Sequence, residues 1–299
     1  MRILPALMLV CAAPAVLGQA TTESRSKRAL EALSDIDQQN REWRAARGVP
    51  LTEAERAVQA VSEALGRRDC AGVVVALNAG LAKAHAEVFT LAGALYQEGL
   101  CVKPNWERAV NLYQRAAATG YTAAAASLAA GYAAPVGGKD RAAALWWALR
   151  AKTALPADCA KVASLVDDPD RFVAALQAWP AGQLEQCAYV GAVMATLQAE
   201  AETSAPGLAL GLGLSGAVRA AFVPASGRVD ITDELTEGAL PAGVTGDAVA
   251  LAAERRTTRK DFVGALQQRA ELALKRYERP AGLPADWRVE AVYVFRAGR

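Results

Sequence analysis

Histidine is almost absent from this 299-residue sequence, which contains a single copy, His85. A Ser-His-Asp triad would have to use that residue, and a metal site with several histidine ligands is excluded. His85 lies in a turn between two predicted helices, where the sequence supplies neither a nucleophile nor an orienting carboxylate for it. We therefore predict that the protein is not an enzyme and that it holds no metal and no cofactor.

Net charge is also nearly absent, since 33 lysines and arginines are balanced by 31 aspartates and glutamates and the formal net charge is +2. A protein that binds nucleic acid through bulk positive charge would have a marked basic excess. The one basic cluster, Arg255-Arg256 with Arg259-Lys260, is interpreted as a solvated helix face. No nucleic-acid partner is expected.

Long apolar runs are absent beyond the first twenty residues. The most apolar later stretch, 208–214, contains two glycines and is far shorter than the roughly 17–25 residues that span a bilayer. Residues 1–20 combine Arg2, an apolar stretch and small residues at positions 18 and 20, which is typical of a secretory signal peptide cleaved near Ala20. We expect a periplasmic or secreted protein without a stable membrane anchor.

Cysteine is scarce, and none of the five copies forms a Cys-x-x-Cys pair of the kind found in zinc sites. Signal-peptide removal leaves an even set in an oxidising compartment, which predicts two disulfides. The four residues are Cys70, Cys101, Cys159 and Cys187. They allow three connectivities, and separations of 31 and 28 residues favour Cys70–Cys101 and Cys159–Cys187 as clips across helical hairpins.

Alanine, the residue with the highest helix propensity, is by contrast abundant. A capping box at Thr52 and Glu55 predicts the start of one helix, and further helices are predicted over 71–81 and 84–98. The pattern Ala-x-x-Leu-Tyr-x-Arg-Ala at 109–116 returns 35 residues later as Ala-x-x-Trp-Ala-x-Arg-Ala. This period predicts stacked helical hairpins over residues 51–202, preceded by a polar segment at 21–50.

The repeat resembles the Sel1-like repeats, which are short helical hairpins related to tetratricopeptide arrays. The resemblance is carried by Tyr96-x-x-Gly99-x-x-Val102 followed by Ala109, Tyr113, Ala116, Ala117 and Gly120. It covers residues 86–121 best and 122–155 less well, and it implies an α-solenoid that binds other proteins. Aromatic residues of these repeats are the candidate partner contacts, although packing in the core explains most of them equally well: Tyr96, Trp106, Tyr113, Tyr132 and Trp147.

The pattern changes after residue 202. Residues 203–213 are predicted as a linker, and residues 214–299 as a small α+β domain. A strand over 215–223, a turn at 224–227 and a strand over 228–232 form a predicted hairpin. A helix over 258–276 and a half-buried strand over 287–296 follow. One stripe of that helix is apolar: Phe262, Leu266, Ala270, Ala273 and Tyr277.

This order of strand, strand, helix and strand resembles the C-terminal domain of TonB-type energy transducers, on the pieces 218–227, 265–280 and 289–295. The sequence lacks the inner-membrane helix and the Pro-rich spacer of those transducers. We therefore do not expect this chain to transmit proton-motive force alone. The resemblance implies that the small sheet binds a partner by strand addition.

The predicted fold class is mainly α: an α-solenoid of Sel1-like helical hairpins followed by a small ββαβ domain. The predicted function is an exported, non-enzymatic scaffold or adaptor for unidentified envelope proteins, with a peptide or a glycan as an alternative ligand. Two alternatives stay open. One is a protein that binds envelope glycan or peptidoglycan, which calls for an exposed row of aromatic side chains. The other is a TonB-related accessory protein of outer-membrane transport.

Overall fold

The computed structural model describes residues 51–134, 139–203, 212–238 and 247–295. The predicted signal peptide, the segment 21–50 and most of the predicted linker lie outside the described residues. Within these ranges the chain is mainly helical, with a small four-stranded antiparallel sheet towards the C-terminus. None of the helices there is both long and apolar enough to cross a membrane.

The first six helices pack as three pairs of sequence neighbours. They are α1 (Glu53–Gly66), α2 (Cys70–Leu81), α3 (Ala86–Glu98), α4 (Trp106–Ala117), α5 (Thr122–Ala133) and α6 (Arg141–Arg150). Helix α1 packs on α2, α3 on α4 and α5 on α6, and α3 also touches both α1 and α5. The second helix of each pair begins with the same kind of cap, because Asp69, Asn105 and Asp140 each accept a hydrogen bond from the backbone N–H three residues ahead.

A less regular segment leads from α6 to a long helix. It contains α7 (Ala157–Ala160), a 3₁₀ turn (Ala163–Leu165) and α8 (Pro169–Gln177), and it is followed by α9 (Gln183–Thr203). Helix α9 packs on α5 and α6. Its sequence is apolar around most of its circumference, as expected for a helix that is covered on several sides.

The sheet is built around one central strand. Its elements are β1 (Leu214–Val223), β2 (Arg228–Asp233), β3 (Thr236–Glu237) and β4 (Val289–Phe295), with α10 (Ala248–Arg276) between the last two strands. All three other strands pair antiparallel with β1. The amide of Glu234 donates to the carbonyl of Ala217 at 2.8 Å, so β3 continues along the side of β1 that β2 occupies. Strand β4 therefore lies on the opposite side.

Helix α10 begins at Ala248 and not at Thr258 as the sequence pattern predicted. The extra turns are capped by Asp247, whose side chain accepts from the amide of Val249. Arg255, predicted to lie on a solvated face, is instead mostly buried and donates to the carbonyls of Leu212 and Gly238. It therefore ties α10 to the ends of β1 and β3.

The hydrophobic core contains residues from both sides of the predicted linker. Phe222 of β1 and Val289 of β4 lie in the same buried cluster as Tyr189 and Val193 of α9. Helix α9 contributes to all three buried clusters of the described residues and also contacts α10 and β4. The change from helices to strands thus falls at the predicted linker, but the two parts share one core.

Candidate functional site

Two of the five predicted contact residues are buried. Tyr113 is 2% exposed and Trp147 is 8% exposed. The ring of Tyr113 lies directly against helix α3, since a Cβ added at Gly93 would be 2.7 Å from Tyr113 Cε1, and its hydroxyl donates to Gln97 at 3.1 Å. Trp147 meets Trp146 edge to face, with 4.7 Å between the ring centroids. These two side chains fill spaces between helices.

The other three predicted contact residues are half-buried. Trp106 and Tyr132 form a T-shaped pair with ring centroids 5.2 Å apart. Trp106 also covers Gly131, where an added Cβ would be only 2.1 Å from its ring. The guanidinium of Arg108 lies 4.5 Å from the centre of the Tyr96 ring. Each ring keeps part of its surface accessible, and a partner contact by these three residues stays a prediction.

Exposed aromatic side chains do not occur within the described ranges. Every tryptophan, tyrosine and phenylalanine there is buried or half-buried. The glycan alternative called for an exposed aromatic row, and the described part of the chain contains none.

The outer side of β4 is an accessible candidate for binding. Strand β4 pairs with β1 on one side, and no strand of the described residues pairs with its other side. Val292 and Val294 are 45% and 58% exposed on the solvent face of this strand. We call this unpaired backbone together with these two valines the β4 edge. A strand edge presents free N–H and C=O groups, which proteins usually protect with lysine, proline or a bulge. Strand β4 contains neither lysine nor proline.

Four charged side chains, two near β4, one on β1 and one beyond β1, neutralise one another. Arg219, on β1, lies 3.5 Å from Glu290 and 3.4 Å from Glu234, and Arg288 lies 2.9 Å from Glu290. Hydrogen bonding and attraction from Arg288, with a smaller contribution from Arg219, hold the pKa of Glu290 below its usual value. Because the four charges cancel, we expect a partner to be recognised here through apolar contacts and backbone hydrogen bonds and not through charge.

The inner face of β4 carries a buried polar atom. Tyr293 points towards the core, and its hydroxyl has no hydrogen-bond partner among the described residues. Burial, and then the nearby charge of Glu202, raises the pKa of this phenol. The same two influences, together with Glu87, raise the pKa of Tyr121 to about 12. Both phenols therefore stay neutral at ordinary pH and serve as packing groups with a polar tip.

Titratable groups elsewhere do not converge on a reactive centre in the part of the chain that the structure describes. His85 occupies the N-cap position of α3 without a capping hydrogen bond from its side chain, and its Nε2 lies 3.9 Å from Glu53, which also pairs with Lys83. No three His, Cys, Asp or Glu side chains in the described ranges are grouped so that they could hold a metal ion.

Both disulfides have the pairing that the spacings favoured. Cys70 at the start of α2 is bonded to Cys101 in the loop between α3 and α4, and Cys159 of α7 is bonded to Cys187 of α9. Two disulfides and no membrane-spanning helix among the described residues fit an exported protein.

The β4 edge was not identified from the sequence, although its strand was predicted. The alternation of Val289 to Phe295 indicated a half-buried strand, and the lack of lysine and proline was visible. The position of β4 at the side of the sheet depends on long-range pairing with β1, which no local pattern encodes.

Comparison of the chain with protein-family models, with curated proteins and with solved structures finds no match. The resemblances to Sel1-like repeats and to the TonB C-terminal domain therefore rest on the residues quoted for them.

Proposed function

We propose that this chain is an exported, non-enzymatic adaptor that binds an extended segment of a partner protein along the β4 edge. The observation that carries the proposal is the side of β4 with which no described strand pairs, with Val292 and Val294 exposed beside it. A strand that adds there would continue the sheet β2-β1-β4 by one member. Backbone hydrogen bonds would supply affinity, and alternate side chains would supply specificity.

The chemistry of the edge defines the partner segment. The sheet is antiparallel throughout, and antiparallel pairing is slightly the more stable per residue. Side chains of the added strand would alternate, so every second one would lie on the face of Val292 and Val294. We infer an extended envelope-protein segment with β-branched or aromatic residues at those alternate positions and no strong charge.

The helical part has a supporting role in this proposal. We infer that α1 to α6 are consecutive units of one Sel1-like array, because equivalent caps recur at Asn105 and Asp140 and glycines face aromatic rings in both later pairs. Helix α9 joins this array to the sheet through a common core. The array would hold the sheet at a fixed position and offer a second surface for another partner.

Site-specific crosslinking tests the proposal. A photo-crosslinking amino acid replaces Val294 in one variant and Val75 in a control, because Val75 is an equally apolar and even more exposed residue on α2. With the mature protein in its native envelope, we expect one partner to be captured from position 294 and not from position 75. Capture of the same proteins from both positions would contradict the proposal.

A binding measurement with that purified partner gives the second test. Val292→Lys should weaken binding by about tenfold or more, since a charge on the contact face would be desolvated without a counter-charge. Val75→Lys should leave binding unchanged. Amides of 289–295 should also gain protection from hydrogen exchange in the complex. Unchanged exchange in β4 would exclude strand addition.

A further inference from the structure

We propose that the Cys70–Cys101 disulfide is a site of thiol–disulfide exchange with a protein dithiol, whereas Cys159–Cys187 is a permanent crosslink. The inference concerns a part of the molecule distant in sequence from the β4 edge and does not depend on the function proposed above. It rests on the different surroundings of the two bonds.

The two disulfides differ in how accessible they are to an attacking thiolate. Cys70 is exposed and Cys101 is half-buried in a surface loop. Cys159 and Cys187 are both 0% exposed and lie in the central cluster with Phe172 and Tyr189. A thiolate must reach a sulfur atom to exchange with a disulfide. Of the two bonds, only the first joins residues that solvent reaches, because both Cys70 and Cys101 keep part of their surface exposed.

The position of Cys70 indicates which sulfur leaves. Cys70 is the first residue of α2, where the helix dipole favours a thiolate. The neighbouring carboxylate of Asp69, which accepts from the amide of Gly72 at 2.8 Å, opposes this effect in part. Cys101 lies outside any helix, in the loop between α3 and α4. Cys70 is therefore the better leaving group.

The exchange proceeds in two balanced steps. A thiolate of the partner dithiol forms a bond to Sγ of Cys101, the Sγ–Sγ bond breaks, and Cys70 leaves as a thiolate. The second partner thiolate then attacks the partner sulfur of this mixed disulfide and expels Cys101 as a thiolate, which takes a proton from water. Two electrons pass to this chain, and the partner becomes a disulfide.

Reduction would remove the covalent link between the first helical pair, α1 and α2, and the second pair, but the two pairs would stay packed together. The disulfide links the start of α2 to the α3–α4 loop. Val61, Leu65, Val73 and Leu77 of α1 and α2 would still pack against α3 in the shared cluster. The bond thus acts as a redox-sensitive link at one end of the helical part, beside the exposed Val74 and Val75 of α2.

Graded reduction of the mature, folded protein tests the proposal. A reduced thioredoxin-type dithiol is added, the reaction is stopped with acid, and free thiols are alkylated and mapped by peptide mass spectrometry. We expect Cys70 and Cys101 to be labelled at least about tenfold faster than Cys159 and Cys187. Equal rates, or faster labelling of the second pair, would overturn the proposal.

Two controls make the test specific. In urea the difference between the pairs should disappear, and a difference that persists there would show that the fold is not its cause. A dithiol partner lacking its second cysteine should become trapped on Cys101. Trapping on Cys70 would overturn the assignment of the leaving sulfur.

Discussion

At the scale of single residues, two tyrosines at the junction of helices and sheet differ in how their hydroxyls are satisfied. Tyr277 donates to the carbonyl of Ala130 at 3.0 Å and lies 3.1 Å from the hydroxyl of Thr196. Tyr293 has no such partner among the described residues. A buried polar atom without a hydrogen bond costs about 1–3 kcal/mol, whereas a satisfied one contributes about 1 kcal/mol.

Replacing each tyrosine by phenylalanine should therefore have opposite effects. Tyr277→Phe should lower the free energy of unfolding by about 1–2 kcal/mol, and Tyr293→Phe should leave it unchanged or raise it by about 1 kcal/mol. Urea unfolding followed by circular dichroism measures both. A loss of the same size in Tyr293→Phe would mean that its hydroxyl is hydrogen-bonded in solution.

Local signals were the most predictable part of the molecule. The predicted capping box is present: Thr52 accepts from the amide of Glu55, and Glu55 accepts from the amide of Thr52. Each of these bonds depends on residues within one turn. The burial of Tyr113 and Trp147 depends on which helix covers them, so the sequence left partner contact and interior packing open for both, and the structure shows that they are interior.

At the scale of elements, the positions of most helices and strands and the pairing of β1 with β2 followed from the sequence, whereas contacts between elements distant in sequence did not. The predicted stripe of α10 from Phe262 to Tyr277 is buried as expected, and the turn at 224–227 joins β1 to β2. The early start of α10 and the contacts of α9 with both parts of the chain were not predicted. Both depend on tertiary packing, which overrides local propensity.

The close approach of two helices at a glycine allows a prediction about a single element contact. Helix α3 approaches α4 at Gly93, where a new Cβ would be 2.7–2.9 Å from the ring of Tyr113. That ring is buried and its hydroxyl is bonded to Gln97, so it cannot move aside easily. Gly93→Ala should therefore lower the free energy of unfolding by about 1–3 kcal/mol, despite the higher helix propensity of alanine.

The matched control is Gly264 in α10, where an added Cβ would meet no heavy atom within 4 Å. Gly264→Ala should raise the free energy of unfolding by about 0.5–1 kcal/mol through helix propensity alone. Thermal unfolding of both variants beside the parent protein measures the two effects. If Gly93→Ala stabilised the protein as Gly264→Ala does, α3 and α4 would not be packed as closely as described.

At the scale of the whole molecule, the shared core makes helices and sheet interdependent. Helix α9 buries residues in every cluster, and contacts such as Gln186 to the carbonyls of Ala281 and Gly282 join the loop before β4 to that helix. A chain with two independent cores would unfold in two steps. A chain with a continuous core is expected to unfold in one.

A destabilising substitution next to the sheet should therefore lower the stability of the distant helices as much as that of the sheet. Leu266 of α10 is fully buried with Phe262 and Phe295, so Leu266→Ala should lower the free energy of unfolding by about 2–5 kcal/mol. Hydrogen exchange in a urea series should show the midpoints of peptides from α5, α6 and β1 falling together. Leu272→Ala, an exposed leucine on the same helix, should move none of them. A fall confined to β1, β4 and α10 would mean that the two parts unfold separately, and that the shared cluster behaves as an interface between domains.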